Sequence, residues 1–203
     1  MNRLSRWRVA ATAAALVVGL AGCSQSAAAP APGNGSNPAP SPNWTVSPAL
    51  AKQLTSARAS TAKYLTNISA AHADGYEIIT PMMDGMGYHY LNKSIDGFDV
   101  TKPAILVYEK NGSDWQLAAL EWVFPSVPKT PPLEGATYGS FPAACHYVDG
   151  TFVPAAAEKD CAPKSQGGSL FNFWHPDLTT LHVWLWYDNP DGLYHGTNPL
   201  IVG

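Results

Sequence analysis

Three imidazoles and one carboxylate are the groups in this 203-residue chain whose types and surroundings could do chemistry. His89 lies in Met86-Gly87-Tyr88-His89-Tyr90, where the glycine leaves space for something to approach the backbone. His182 lies in Leu181-His182-Val183-Trp184-Leu185-Trp186, and His175 stands just before that run. Glu121 is a carboxylate with Leu120, Trp122 and Val123 as its neighbours. Imidazole nitrogens with one carboxylate oxygen suit a borderline divalent ion, zinc or copper, and Tyr88, Trp184 and Trp186 would supply an aromatic wall that keeps the site dry. No pair shows H-x-H, H-x-x-x-H or H-E-x-x-H spacing, so convergence depends on the fold. Without a metal the same groups could bind a small organic ligand or perform acid–base chemistry, and a buried histidine can also simply satisfy a core hydrogen bond.

Met82, Met83, Met86 and His89 form a second set, since thioethers with one imidazole suit Cu(I). Methionines also plug irregular turns in a core. Other chemistries find no support: there is no G-x-S-x-G elbow, Gly-rich phosphate loop, Walker lysine or dinucleotide fingerprint. Cys145 beside His146 would be a nucleophile pair only with a free thiol.

The elements that must position these groups can be read from periodicity. Thr179 to Tyr187 alternates as a strand, with Leu181, Val183 and Leu185 on one face and His182, Trp184 and Trp186 on the other. With both faces apolar, it belongs inside a covered sheet or the wall of a small barrel, and His182 should be buried. Ser47-Pro48 reads as a helix N-cap and first turn, and Leu50, Leu54, Ala57, Thr61, Tyr64, Ile68 and His72 keep helical spacing up to Asp74-Gly75. His72, near the end of that helix, is read as structural. Short strands are predicted at Glu77 to Thr80 and Met86 to Asn92, then a hairpin of Ala104 to Lys110 and Asp114 to Phe124 turning at Asn111-Gly112. Along its second arm Trp115, Leu117, Ala119, Glu121 and Val123 should share a face. Leu133 to Ser169 reads as a loop-rich excursion with a small hairpin around Asp149-Gly150. One leading amphipathic helix packed on a mainly antiparallel sheet, or a small open barrel, makes an α+β domain.

The ends of the chain speak of location. Arg3, Arg6 and Arg8 precede an apolar run from Val9 to Gly19, and Leu20-Ala21-Gly22-Cys23 has the form of a lipoprotein cleavage site. The expected organisation is a signal peptide over 1–22, a lipidated Cys23 with a Pro/Ala/Ser-rich tether over 23–45, and one globular domain over 46–203. The protein would then face the extracytoplasmic side of the cell membrane, its membrane partner reached through the lipid. Cys145 and Cys161 remain as an even pair, most simply a disulfide in an exported protein. Loss of the leader leaves nine basic residues against fifteen acidic ones, a charge of −6 with no basic run, which argues against nucleic acid as a partner.

Through Asp84-Gly-Met-Gly-Tyr-His-Tyr-Leu-Asn92 and Leu181-His-Val-Trp-Leu-Trp-Tyr-Asp-Asn-Pro-Asp-Gly-Leu193 the chain resembles a family of uncharacterised bacterial exported proteins and lipoproteins. Asp74-Gly-Tyr76, Val107-Tyr-Glu109 and Asn198-Pro199 fit the same order of segments. The resemblance spans most of Tyr64 to Pro199, implies one continuous domain, draws attention to His89 and His182, and brings no established activity with it.

Overall fold

The computed structural model describes residues 46–202; the expected leader, Cys23 and the tether lie outside them. Among these residues nine strands form two antiparallel sheets, preceded by two α-helices. Helix α1 spans Pro48–Thr61, and Ser47 caps it by accepting a hydrogen bond from the Leu50 amide. The single long helix expected from the spacing is interrupted: a 3-10 turn over Ala62–Tyr64 follows α1, and a separate α2 spans Ile68–Ala73 with Asn67 as its cap. The sheet draws the chain out of helical geometry there. The Tyr64 carbonyl accepts from the Tyr108 hydroxyl, and the Leu65 carbonyl accepts from the Leu117 amide.

The larger sheet has the order β1-β2-β3-β4-β9-β5, from Glu77–Ile78 (β1), Tyr88–Leu91 (β2), Ile105–Asn111 (β3), Asp114–Phe124 (β4), Leu178–Val183 (β9) and Gly139–Phe141 (β5). The β3–β4 tip is set one residue later than Asn-Gly predicts. Asn111 pairs with Asp114, so Gly112 and Ser113 make the turn, with Gly112 at φ +61°. A second sheet, β7-β6-β8, uses Ala144–Tyr147 (β6), Phe152–Pro154 (β7) and Phe171–His175 (β8). The hairpin expected around Asp149-Gly150 is its β6–β7 pair, and the Cys145–Cys161 disulfide ties β6 to the segment beyond β7. Strand β8 was not legible as a strand separate from β9, and neither sheet closes into a barrel among the described residues.

Each face of the larger sheet has its own core. On the helix side Leu50, Ala57, Tyr64 and Ala71 meet Leu106, Tyr108, Leu117, Leu120, Trp122, Leu181 and Val183. On the opposite side Ile105, Val107, Ala119, Trp184 and Ile201 form a second cluster, to which β8 contributes Phe173. A bulge divides β4 between them: Val107 pairs with Ala119 but Tyr108 pairs with Leu117, leaving Ala118 as the extra residue. Leu117 therefore packs with the helices rather than sharing a face with Ala119 and Glu121. Strand β9 ends at Val183, the alternation of faces runs on through Trp184 and Leu185, and it fails at Trp186, where the Ala118 carbonyl accepts from the amides of both Trp186 and Tyr187.

The segment after β9 returns across the molecule. Gly85 donates its amide to Ile201 and accepts from the Asn198 amide, and Ile201 is buried in the second cluster. No helix among the described residues is long and apolar enough to cross a membrane.

Candidate functional site

On the second face, β2, β4 and β9 present His89, Glu121 and His182. Glu121 pairs directly with His182 across β4 and β9, while His89 pairs with Val107 on β3, the strand between β2 and β4. Adjacent strands lie about 4.8 Å apart, so His89 reaches Glu121 diagonally over a strand. The small Ala119 beside Val107 leaves it room. One ligand atom from each of the three residues lies within 4.8 Å of the others, and all three residues are buried at 4% exposure.

Gly87 sets the start of β2. Its φ is +84°, and a Cβ there would stand 2.5 Å from the Tyr108 carbonyl oxygen, so what approaches this glycine is the neighbouring strand and not a ligand. His89 is then held at both ends: its amide donates to Thr80 Oγ1 at 3.1 Å, and its Nδ1 lies 2.9 Å from the same oxygen. The Thr80 hydroxyl can accept from Nδ1–H or donate to a bare Nδ1; in the Nδ1–H tautomer the Nε2 lone pair faces Glu121 Oε2 at 3.7 Å. That separation is too long for a hydrogen bond. His182 has no partner at either ring nitrogen, although both are buried; its ring lies 4.7 Å from that of Trp184.

Burial sets the protonation of the group. It pushes the Glu121 carboxyl up to about 7 and lowers the imidazoles of His89 to about 4 and His182 to about 3. His89 Nε2 and Glu121 Oε2 lie within ion-pair distance, yet desolvation drives both toward their neutral forms, so His89 is neutral at pH 7 while Glu121 gives up its proton near that pH. Two neutral imidazoles and a carboxyl with a removable proton form a donor set for a divalent ion.

A cavity of about 260 Å³ opens beside these groups, lined by His89, Glu121, Thr80, Thr180, Met83 and Met86 among others. Two thioethers of the expected methionine set thus share a cavity with His89, while Met82 packs into the second cluster. A larger groove of about 570 Å³ lies between α1 and residues 191–195 and contains none of the three.

The remaining site residues separate. Trp184 stands beside His182, as alternation requires. Trp186 does not: past the bulge it sits on the helix side, with its Nε1 donating to Thr61 and the Arg58 guanidinium over its ring. Tyr88 also faces the helix side, its ring edge on Trp115 at 5.1 Å, because neighbouring residues of a strand point to opposite faces. His175 does not join the three; it lies on β8 in the other sheet, its ring 5.0 Å from that of His146. His146 was passed over in the sequence as the neighbour of a disulfide cysteine, although its place in a β-prone run after Cys145 was a signal that it would be buried.

Compared with known protein families, curated proteins and solved structures, the chain matches none.

Proposed function

We propose that this protein is a lipid-anchored, extracytoplasmic binding or accessory protein that holds a divalent metal ion, zinc in the first instance, between His89, Glu121 and His182. The observation that carries this reading is His182, whose two ring nitrogens are buried without a partner beside two other ligand-type side chains. An unsatisfied buried polar atom costs about 1–3 kcal/mol, and a metal ion would use at least one of these lone pairs. Zinc bonds of about 2.0–2.2 Å set ligand atoms about 3.4 Å apart, so the three side chains, with ligand atoms within 4.8 Å of one another, would close in around the ion, with the cavity side open to a fourth ligand. The anchor rests on the Leu20-Ala21-Gly22-Cys23 motif alone.

Glu121 favours a second reading. A carboxyl raised to about 7 at the wall of a cavity is poised for proton transfer, alone or on a metal-bound water, as a small enzyme would require. The test common to both is elemental analysis of the full chain purified without chelator or affinity-tag histidines, with His89→Ala and His182→Ala variants alongside. One equivalent of zinc in the wild type, lost in both variants, is the expected result. A folded wild type that takes up no zinc even when it is supplied removes the metal reading and leaves the metal-free acid–base pocket.

A further inference from the structure

The 260 Å³ cavity beside the cluster is shared by the two sheets: β2, β3 and β4 bring His89, Ile105 and Glu121 to it, and β7 of the smaller sheet brings Phe152. At about 30 Å³ for a water molecule it holds the volume of roughly nine waters, the space of one six-membered ring with a short polar head. Its walls suit such a ring. Phe141 and Phe152, both lining it, meet edge to face with centroids 5.4 Å apart. The turn before β2 adds the thioethers of Met83 and Met86, which adapt to an aromatic edge. Ser140, exposed on the edge strand β5, also lines the cavity and so connects it with solvent.

The polar end belongs to the cluster. The Thr80 hydroxyl is engaged by His89, and that of Thr180 acts on the Glu121 carboxyl. His89 and Glu121 are 4% exposed and line the cavity, so what enters meets them first. Zinc held by two neutral imidazoles and one carboxylate keeps one positive charge uncompensated in a buried place, where an unpaired charge is costly. A ligand with one negative charge cancels it at the open coordination position. A second negative charge would meet no cation, because no lysine or arginine lines the cavity among the described residues. Without the ion, even a single negative charge meets only Glu121 and apolar walls, which reject it.

Resting on the metal reading above, we infer that the cavity takes a small monocarboxylate with a ring-sized apolar body, whose carboxylate completes the coordination of the ion held by His89, Glu121 and His182. The test is calorimetric titration of benzoate into the full chain in detergent, zinc-loaded and zinc-free, with acetate and benzamide as comparisons. Benzoate should bind the zinc-loaded protein at one equivalent, and the zinc-free protein at least about a hundredfold more weakly. Acetate lacks the ring and benzamide the charge, so each should bind about tenfold or more below benzoate. By linkage, benzoate should raise the affinity for zinc by the factor by which zinc raises that for benzoate. Phe152→Ala should keep its zinc and lose about tenfold in benzoate affinity. Met86→Ala gives the same comparison if Phe152→Ala does not fold. Zinc uptake without benzoate binding, benzoate bound equally with and without zinc, acetate bound as tightly as benzoate, or full benzoate affinity in the cavity variants would overturn the ligand and leave the metal reading standing. A folded chain that takes up no zinc would overturn both.

Discussion

His182 is buried with two lone polar atoms, and a side chain kept for stability would not be. Replacing it by leucine removes both orphan nitrogens at similar volume. In the metal-free protein His182→Leu should therefore be neutral or stabilising by about 1 kcal/mol in urea unfolding, whereas the zinc-dependent rise in the unfolding midpoint expected of the wild type should be absent from the variant. Glu121 sets the pH dependence of loading. Its carboxyl must release a proton to bind an ion, and it does so near pH 7, while His89 and His182 are already neutral above about 4. Zinc affinity should thus fall about tenfold for each pH unit below 7, down to about pH 4. Calorimetric Kd values across that range should show this slope in the wild type and a flat, weaker profile in Glu121→Gln. Glu121 and His182 were legible in the sequence because strand alternation placed each on an apolar face, and His89 because a glycine marks the start of its strand; the register of β4 against β9 brought the first two together. His146 was not, because what singles it out is a carbonyl from β1's neighbour Ile79, distant in the chain.

At the scale of elements, the approach of β2 to β3 depends on Gly87. A Cβ 2.5 Å from the Tyr108 carbonyl oxygen, on a residue at φ +84°, cannot be accommodated without moving one strand. Gly87→Ala should lower stability by about 1–3 kcal/mol or more in urea unfolding and, by shifting His89 away from Glu121, weaken zinc binding beyond what stability accounts for. The sequence marked this glycine as a special position but not its cause, the Tyr108 carbonyl on the neighbouring strand β3. The helix break and the Ala118 bulge were hidden for the same reason. Leu50 to His72 carries one uninterrupted helical spacing, and only the hydrogen bonds from Tyr108 and Leu117 to the carbonyls of Tyr64 and Leu65 make the interruption favourable. Likewise nothing local in Gln116-Leu117-Ala118-Ala119 announces an extra residue; the amides of Trp186 and Tyr187 converging on Ala118 do.

Over the whole molecule, the buried histidines govern acid stability. His89 and His146 are lowered to about 4 and His182 to about 3, each from an unfolded value near 6.5. The unfolded chain binds more protons than the folded one between these limits, so stability is fully present above about pH 6.5 and is lost as pH falls toward 4. Glu121, raised from 4.5 to about 7, works the other way, its burial costing stability as pH rises through that interval. Three lowered histidines, joined by His175 in the same direction, outweigh one raised carboxyl. The urea midpoint of the metal-free protein should accordingly drop between pH 7 and pH 5, and His182→Leu should flatten the drop; a midpoint that rises on acidification would place the histidines in a charged state instead. The α+β class and the antiparallel sheet were legible from periodicity and turn residues, whereas the division into two sheets rests on β8, whose Phe-Asn-Phe-Trp-His run merges in the sequence with the strand that follows.

The strap from Asn198 to Ile201 fixes when the protein can become competent. Gly85 stands in the turn that carries Met83 and Met86 to the cavity, and it is fastened by residues that a ribosome adds long after His89 and Glu121 have been made. A chain in which only His89 and Glu121 have been made lacks the clasp. If the cluster takes up zinc as proposed, uptake follows the docking of this strap, so a chain that enters a compartment unfolded would acquire its zinc there.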